Sequence, residues 1–191
     1  MDSVEICNIA LGYLGASPIE SLDDTTTEAQ LCAANYDAVR DAVLQERPWT
    51  FAVARRSLTA DATAPANVWG YRFPLNPLSL RVFEVYVGDE LVTEWDVEGR
   101  FVLCDEAGPV VVKTVDQVAN PALLSAGFVQ AMAARLAATL AVPIANSRAL
   151  QGDLWQLYAS LVKKAGAVDG MQGRSASRRL TVSTIRRARY Q

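Results

Sequence analysis

The chain has 191 residues, 51% of them apolar, which is enough for one domain, or one domain with an insertion, around a substantial core. It contains no histidine, so the usual general base and the commonest metal ligand are excluded. The formal charge of −3 is uneven: residues 171–191 carry six arginines and no acid, whereas the rest carries 12 basic and 21 acidic residues, a net −9. This asymmetry is typical of an interaction tail.

The three cysteines, Cys7, Cys32 and Cys104, are far apart in the sequence and show no CxxC spacing. We therefore predict neither a zinc site nor a disulfide framework. We expect all three to be small core residues of a protein in a reducing compartment. We also expect no cofactor and no metal.

Two helices are predicted near the N-terminus. In residues 3–14 the apolar side chains recur at three- and four-residue spacings, and Gly15 is a suitable helix stop. For the second helix, Thr25 as the cap and Glu28 as the third helical residue form a predicted capping box. Pro48 disfavours helix at the residue before it, so this helix is expected to end there.

The helical period changes to an extended one in the stretch PWTFAVARRSL, residues 48–58. We predict that Trp49 and Phe51 seal a structural corner between helices and sheet. An alternative is a stacking platform for nucleic-acid bases, with Arg55 and Arg56 contacting phosphates. Two aromatic residues and two arginines are few for such a platform, which favours core packing with solvated charges.

Four or five short strands are predicted in the following region, in an arrangement typical of a small antiparallel sheet or sandwich. The clearest lie within residues 80–87, 91–95, 100–104 and 109–115. Carboxylates in this region suggest a glycosidase or a metal site, but their positions at turns favour a solvated acidic face. They are Glu90, Glu94, Asp96, Glu98, Asp105 and Glu106.

A third helix is predicted to begin with Asn120 as cap and Pro121 as first residue, and to end at Pro143. Apolar residues recur every four positions and alanines surround them, so we expect burial on several sides, within the chain or against another subunit. Residues 122–145 are apolar enough to require a membrane check. Arg135, near their centre, argues against a membrane span.

A fourth helix is predicted after Asn146 or Ser147, with a pattern that fades through Gly166 and Gly170. The tail that follows, residues 171–191, is expected to be disordered when the protein is alone. Its β-prone centre could add a strand to a partner's sheet edge, with the flanking arginines paired to acids. The predicted partner-binding residues of this arm are Arg174, Arg178, Arg179, Leu180, Val182, Ile185, Arg186, Arg187 and Arg189.

These elements together predict an α+β fold. Residues 1–48 and 120–170 are expected to form an antiparallel bundle of about four helices. Residues 49–119 are expected to form an inserted small antiparallel β domain. Residues 171–191 are expected to form an extended, flexible, basic C-terminal tail.

An ordered series of motifs runs through the first half of the chain. It begins with NIALGYLG at residues 8–15, continues with PI at 18–19 and SLDD at 21–24, and is densest at PWTFA, residues 48–52. Further members are Ala29, Cys32, Tyr36, Arg40, Leu44, Arg55, Leu58, Tyr71, Pro74, Leu80 and Val82. In this series the chain resembles the tail tubular protein A family, the head-to-tail adaptors, or connectors, of short-tailed phages and related prophages.

The resemblance implies a virion structural protein of the tail or neck, which is in the host cytoplasm during assembly. Resemblance among such phage proteins has also suggested peptidoglycan-degrading activity, but the absence of histidine and of a clear carboxylate pair leads us to expect no enzymatic activity. Because of Arg135 we also expect no membrane span. Family members form a homo-oligomeric ring, usually a dodecamer, below the portal protein and above the tail nozzle or other tail proteins. DNA passes through the lumen without sequence-specific binding. A C-terminal extension grips the portal, which would give the arginine-rich tail a partner.

The alternative function is a nucleic-acid-binding protein that uses residues 171–191 as a basic arm. The net charge of −9 on the rest of the chain would oppose such binding. Tyr190 is the only aromatic residue in the tail, so little base stacking is available there. These observations favour the adaptor.

Overall fold

The computed structural model describes residues 1–66 and 68–172. Within these ranges the chain forms two helices, then seven strands, then a short 3-10 helix (Pro121–Leu123) and two further helices, so the predicted mixed α and β class is confirmed. The helices are α1 (Ser3–Leu14), α2 (Thr27–Gln45), α3 (Ala126–Ala145) and α4 (Arg148–Gln172). The strands are β1 (Val53–Leu58), β2 (Tyr71–Pro74), β3 (Ser79–Val87), β4 (Glu90–Leu91), β5 (Asp96–Glu98), β6 (Phe101–Cys104) and β7 (Val110–Asp116).

The chain divides into two compact units. We call the first the helical unit; among the described residues it comprises Met1–Arg40, Trp49–Phe51 and residues 120–172. The second, the sheet unit, comprises Asp41–Pro48 and Ala52–Ala119. The sequence-based boundary at residue 49 differs from this division, since residues 41–48 belong to the sheet unit and residues 49–51 to the helical unit.

The first helix has the predicted bounds. Asp2 caps it through a capping box with Glu5, in which each side chain accepts a hydrogen bond from the other residue's amide. Gly15 ends it at φ 67°, a left-handed conformation that costs glycine little. The predicted stop at Gly15 is therefore confirmed.

The start of α2 corrects the predicted cap. The Ala29 amide donates to the Thr26 hydroxyl at 3.3 Å, so Thr26 caps a helix that begins at Thr27. The predicted box between Thr25 and Glu28 is wrong by one residue. Three successive threonines each carry a hydroxyl that can cap a helix, and the local sequence does not determine which of them does so.

Both predicted ends of the third helix also need correction. Asn120 caps the short 3-10 helix Pro121–Leu123, and Ser125 caps α3 after an extended residue. Pro143 lies inside the last turn of α3, where it removes one backbone donor without stopping the helix. The helix ends at Asn146, which takes a left-handed conformation with φ 46°.

The third helix forms the core of the helical unit and packs against α1 and α4. The predicted apolar series is buried, and so are the alanines along the middle of α3, which are Ala131, Ala133, Ala134, Ala137, Ala138 and Ala141. The members of the series are Leu124, Phe128, Met132, Leu136 and Leu140. By length and composition α3 could cross a membrane, but 61% of its most apolar window is buried inside the chain.

Arg135 has a specific place near the middle of α3. It donates from Nη1 to the Tyr158 hydroxyl of α4 at 3.0 Å. Its guanidinium also lies over the rings of Tyr158 and Trp155, with the carbon 5.3 and 5.7 Å from the centroids. Cation–π contacts and the hydrogen bond thus accommodate a charge on an otherwise apolar helix.

The three cysteines are free and buried, so their predicted role as small core residues is confirmed. Cys7 of α1 and Cys32 of α2 are distant in sequence, but their thiols interact. The neighbouring Cys32 thiol, together with burial, raises the pKa of Cys7 far above its usual range and keeps its thiol neutral.

The strands form two antiparallel sheets, in the orders β1-β7-β3-β4 and β2-β6-β5. Pro74 lies in the edge strand β2, where a missing amide donor is tolerated. The predicted strand at residues 91–95 is wrong, because only Glu90–Leu91 and, further on, Asp96–Glu98 form strands there. Phe73, Val85 and Val112 are among the residues of the sheet unit's hydrophobic core.

Tyr36 is 95% buried, and its hydroxyl has no hydrogen-bond partner among the described residues. Burial raises the pKa of Tyr36 to about 12. Since the phenol gives up water without gaining a partner, we expect Tyr36→Phe to leave the free energy of unfolding unchanged or raise it by about 1 kcal/mol. Urea unfolding would measure this change.

Tyr86 provides the matched control. Its hydroxyl donates to Glu84 Oε2 at 2.5 Å, so Tyr86→Phe removes a hydrogen bond that is made. We expect this variant to lose about 1 kcal/mol. Equal losses in the two phenylalanine variants would contradict the assignment of Tyr36 as unsatisfied.

Glu84 makes the stability of the sheet unit depend on pH. Burial alone would raise the pKa of Glu84, but hydrogen bonds from Lys113 and Tyr86 outweigh burial and hold it below the ordinary value. Because the folded pKa is the lower one, the stabilisation is complete above the ordinary glutamate pKa and is lost as pH falls through the lowered value.

We therefore expect the wild-type protein to be more stable than Glu84→Gln at about pH 7, with the difference shrinking towards about pH 3. The difference should be small, because the Glu84 side chain is one third exposed and solvent screens the pair. Urea unfolding across this pH range measures it, with the exposed Glu90→Gln as control. A difference that stays constant with pH would contradict this prediction.

Candidate functional site

Aromatic contacts within the helical unit hold residues 49–51, where the helical period of the sequence ends. Trp49 is fully buried, and its ring meets Phe128 of α3 edge-on at 5.1 Å between centroids. Phe51 meets the same ring at 5.2 Å and Trp49 at 6.1 Å. A buried Trp49 offers no free face on which a base could stack, so the geometry does not favour the stacking platform.

A buried carboxylate of α4, that of Asp169, holds Thr50, the residue between Trp49 and Phe51 in the sequence. Asp169 is 7% exposed, and its two oxygens accept from the Thr50 amide at 3.2 and 3.0 Å. Asp169 Oδ1 also accepts from the Thr50 hydroxyl at 2.7 Å. Hydrogen bonds to an ionised group are the strong ones, so Asp169 fixes the position of Thr50.

Sequence reasoning missed Asp169, which lies where the apolar pattern of the fourth helix appeared to fade. The helix in fact continues through Gly166 and Gly170 to Gln172. The signal that would have found Asp169 is the helical register, since Leu154, Tyr158 and Ala165 place the buried face and Asp169 follows Ala165 by four residues.

A cleft of about 540 Å³ opens beside Thr50. We call it the α3–α4 cleft, because the first turns of α3 and the C-terminal half of α4 form its walls. Most of its lining is apolar, and Lys164, an exposed residue, is among the polar ones. The apolar residues that line it are Phe51, Ala126, Gly127, Leu161, Ala165 and Val168.

The two helices approach each other closely at Gly127. A β-carbon placed on Gly127 would lie 2.9 Å from the β-carbon of Ala165 and 3.3 Å from its α-carbon. Real β-carbons essentially never come this close, so the packing requires glycine at this position. The Gly127–Ala165 contact therefore sets the spacing of the two walls of the cleft.

The two arginines that follow the aromatic stretch differ in environment. Arg56 pairs with Asp116 of β7, whose side chain also accepts hydrogen bonds from Ser79 and Thr114. Arg55 is exposed. Because successive residues of a strand point to opposite faces, these arginines do not form one phosphate-binding surface.

The six carboxylates of the predicted acidic face are all exposed, which confirms their predicted solvation. They are Glu90, Glu94, Asp96, Glu98, Asp105 and Glu106. In the described part of the chain, no group of three or more cysteine and carboxylate side chains is arranged to hold a metal ion.

The predicted portal-binding arm falls outside the described residues. Its predicted members are Arg174, Arg178, Arg179, Leu180, Val182, Ile185, Arg186, Arg187 and Arg189. That these residues bind the portal protein therefore stays a prediction.

Several residues of the motif series make local contacts that hold the helical unit together. The Asn8 side chain donates to the Ile19 carbonyl at 2.9 Å and accepts from its amide at 2.8 Å, which ties α1 to the following loop. Asp24 closes that loop by accepting from the Ser21 amide at 3.0 Å. Arg40, also in the series, is only 4% exposed. A scan against models of protein families found no match, and neither did a search of curated proteins.

Proposed function

We propose that the chain is a virion structural protein, a head-to-tail adaptor that forms a ring below the portal and joins it to the tail components. The observation that carries the proposal is the ordered motif series, which runs from residue 8 to residue 82. Several of its members have structural roles within the helical unit: Asn8 fixes the first loop, and Trp49 and Thr50 anchor the turn onto α3 and α4.

The kinds of element also support the proposal. The resemblance implies a helical bundle with a β domain, and the described residues form four α-helices and seven strands. We extend the proposal to the arrangement of the helices, which we take to be an antiparallel bundle, and to the basic tail, which we take to be the arm that reaches the portal.

The distribution of charge suits this role. A chain that carries net −9 outside the arm repels DNA, which helps a ring to let DNA pass without holding it. An arm with six arginines, in contrast, can form bidentate pairs with acidic residues of a protein partner. We propose a closed homo-oligomeric ring, a dodecamer as is usual in the adaptor family, in which every copy presents one such arm.

Native mass spectrometry of the purified chain, alone and mixed with the portal protein of the same phage or prophage, tests the adaptor. We expect a stoichiometric ring of chains on the portal. The chain without residues 173–191 should keep its circular dichroism spectrum but no longer join the portal. Normal binding by the shortened chain would exclude the arm mechanism.

A second pair of variants separates charge from geometry. Replacing Arg178, Arg179, Arg186 and Arg187 by lysine keeps the charge, whereas replacing them by glutamine removes it. If bidentate pairs matter, the lysine variant should bind the portal more weakly than the wild type, and the glutamine variant more weakly still. If the chain joins no portal complex but binds DNA in a salt- and arm-dependent way, the basic-arm alternative replaces the adaptor.

A further inference from the structure

The α3–α4 cleft continues into exposed apolar surface at the end of α4. Val168, which lines the cleft, is 56% exposed, and Met171, nearly one turn further on, is 69% exposed. Leu161, two turns before Val168, lines the other end of the same wall. Apolar surface of this kind beside a cleft of about 540 Å³ is suited to an apolar occupant.

We infer that the occupant is the chain's own segment 180–185, bound within the same molecule. This segment reads LTVSTI and carries no charge. It begins eight residues after Gln172, the last described residue of α4, and Gln172 follows Asp169 of the cleft by three residues. The segment is therefore tethered beside the cleft and has a high effective concentration there.

The connecting residues are long enough for this docking. Eight extended residues span up to about 27 Å, whereas α4 rises only about 12 Å between Leu161 and Asp169. The connection can therefore reverse and bring the segment back along α4. When the segment is extended, Leu180 and Val182 point to the same side and would enter the cleft together.

Charge favours the same placement. The last turn of α4 contains no basic residue, so the partial negative charge of its carbonyl end is not compensated within the helix. Arg178 and Arg179 directly precede Leu180 and would lie at that helix end once Leu180 occupies the cleft. The uncharged segment itself would pass Lys164 without repulsion.

The inference replaces the expectation that the whole of residues 171–191 is disordered when the protein is alone, because it gives the arm of the proposed adaptor a docked position on its own chain. It does not depend on the identity of the arm's partner. Its test uses the purified full chain alone. A failure of docking would therefore leave the portal experiment unaffected, and a failure of portal binding would leave docking unaffected.

The test is paramagnetic relaxation in solution. The three native thiols are buried, so Ser183→Cys provides one accessible site for a nitroxide. In uniformly ¹⁵N-labelled chain we expect the amide signals of Gly127 and Val168 to be lost while the nitroxide is oxidised and to return on its reduction. Unchanged signals at these positions would overturn the proposal.

Two controls define the occupant. In the Ser183→Cys background, Leu180→Asp with Val182→Asp should restore the cleft signals, and so should Val168→Glu, which alters an exposed side chain and should leave the melting curve unchanged. Persistent loss of signal in these variants would contradict apolar docking.

In a mixture of ¹⁵N-labelled chain without nitroxide and unlabelled chain with nitroxide, the cleft signals should remain. Their loss would make the occupant another copy's segment and overturn docking within one molecule.

Discussion

Replacing Asp169 by alanine is expected to lower the free energy of unfolding by about 2 kcal/mol. The change removes the buried carboxylate that accepts from the Thr50 amide and hydroxyl. Because Thr50 itself is exposed, water can reach its amide in the variant, and the loss stays below the 3–5 kcal/mol typical of breaking a fully buried charged pair. Urea unfolding followed by circular dichroism measures it.

A double-mutant cycle assigns the loss to this contact. Thr50→Val removes the hydroxyl but keeps the amide, and we expect it to cost about 1 kcal/mol in the wild type and almost nothing when Asp169 is already alanine. Asp153, an exposed acid on the same helix, is the matched control, and Asp153→Ala should change stability by less than about 0.5 kcal/mol. Equal effects of Asp169→Ala and Asp153→Ala would contradict the assigned role.

Gly127→Ala is expected to destabilise the chain by about 1–3 kcal/mol, although alanine is the better helix former. The added methyl would lie 2.9 Å from the β-carbon of Ala165 and 3.3 Å from its α-carbon, so the two helices must separate. The same separation would change the width of the α3–α4 cleft. Urea unfolding gives the loss in stability.

Gly152, inside α4, provides the control. A β-carbon there meets nothing within 4 Å in the described structure, so Gly152→Ala should raise stability by about 0.5–1 kcal/mol through helix propensity. Ala165→Gly in the Gly127→Ala background removes one of the two clashing methyls and should recover part of the loss. A gain in stability for Gly127→Ala equal to that for Gly152→Ala would show that the close approach does not constrain the packing.

The helices were predictable because each depends on residues three or four positions apart. The first residues of the helices were harder to predict. Thr25 and Thr26 each offer a capping hydroxyl, and Asn120 and Ser125 are two capping residues that follow one another before the third helix. In each case the packing of the whole helix, not the cap alone, selects the first residue. The predicted strand at residues 91–95 failed for a similar reason, because its alternation is too short to fix pairing.

The candidate site was only half predictable. The sequence singled out Trp49 and Phe51, since aromatic residues at a change of period indicate a packed turn. It gave no sign of Asp169, whose partner Thr50 lies 119 residues earlier. Nor did it show that Gly127 faces Ala165, since a glycine in the first turn of a helix has no distinctive local pattern. Contacts of this range depend on the folded chain and not on periodicity.

The packing of α1 against α3 also has a consequence for the order of events on the ribosome. The sheet unit is complete once Ala119 has been made, whereas α1 must wait for α3, against which it packs. At about 5–20 residues per second, synthesis of the 20 residues of α3 takes about 1–4 seconds. During this interval the buried side chains of α1, Ile6 and Leu11 among them, are not yet fully covered. The nascent chain is therefore exposed to chaperones and proteases at α1 until α3 has been made.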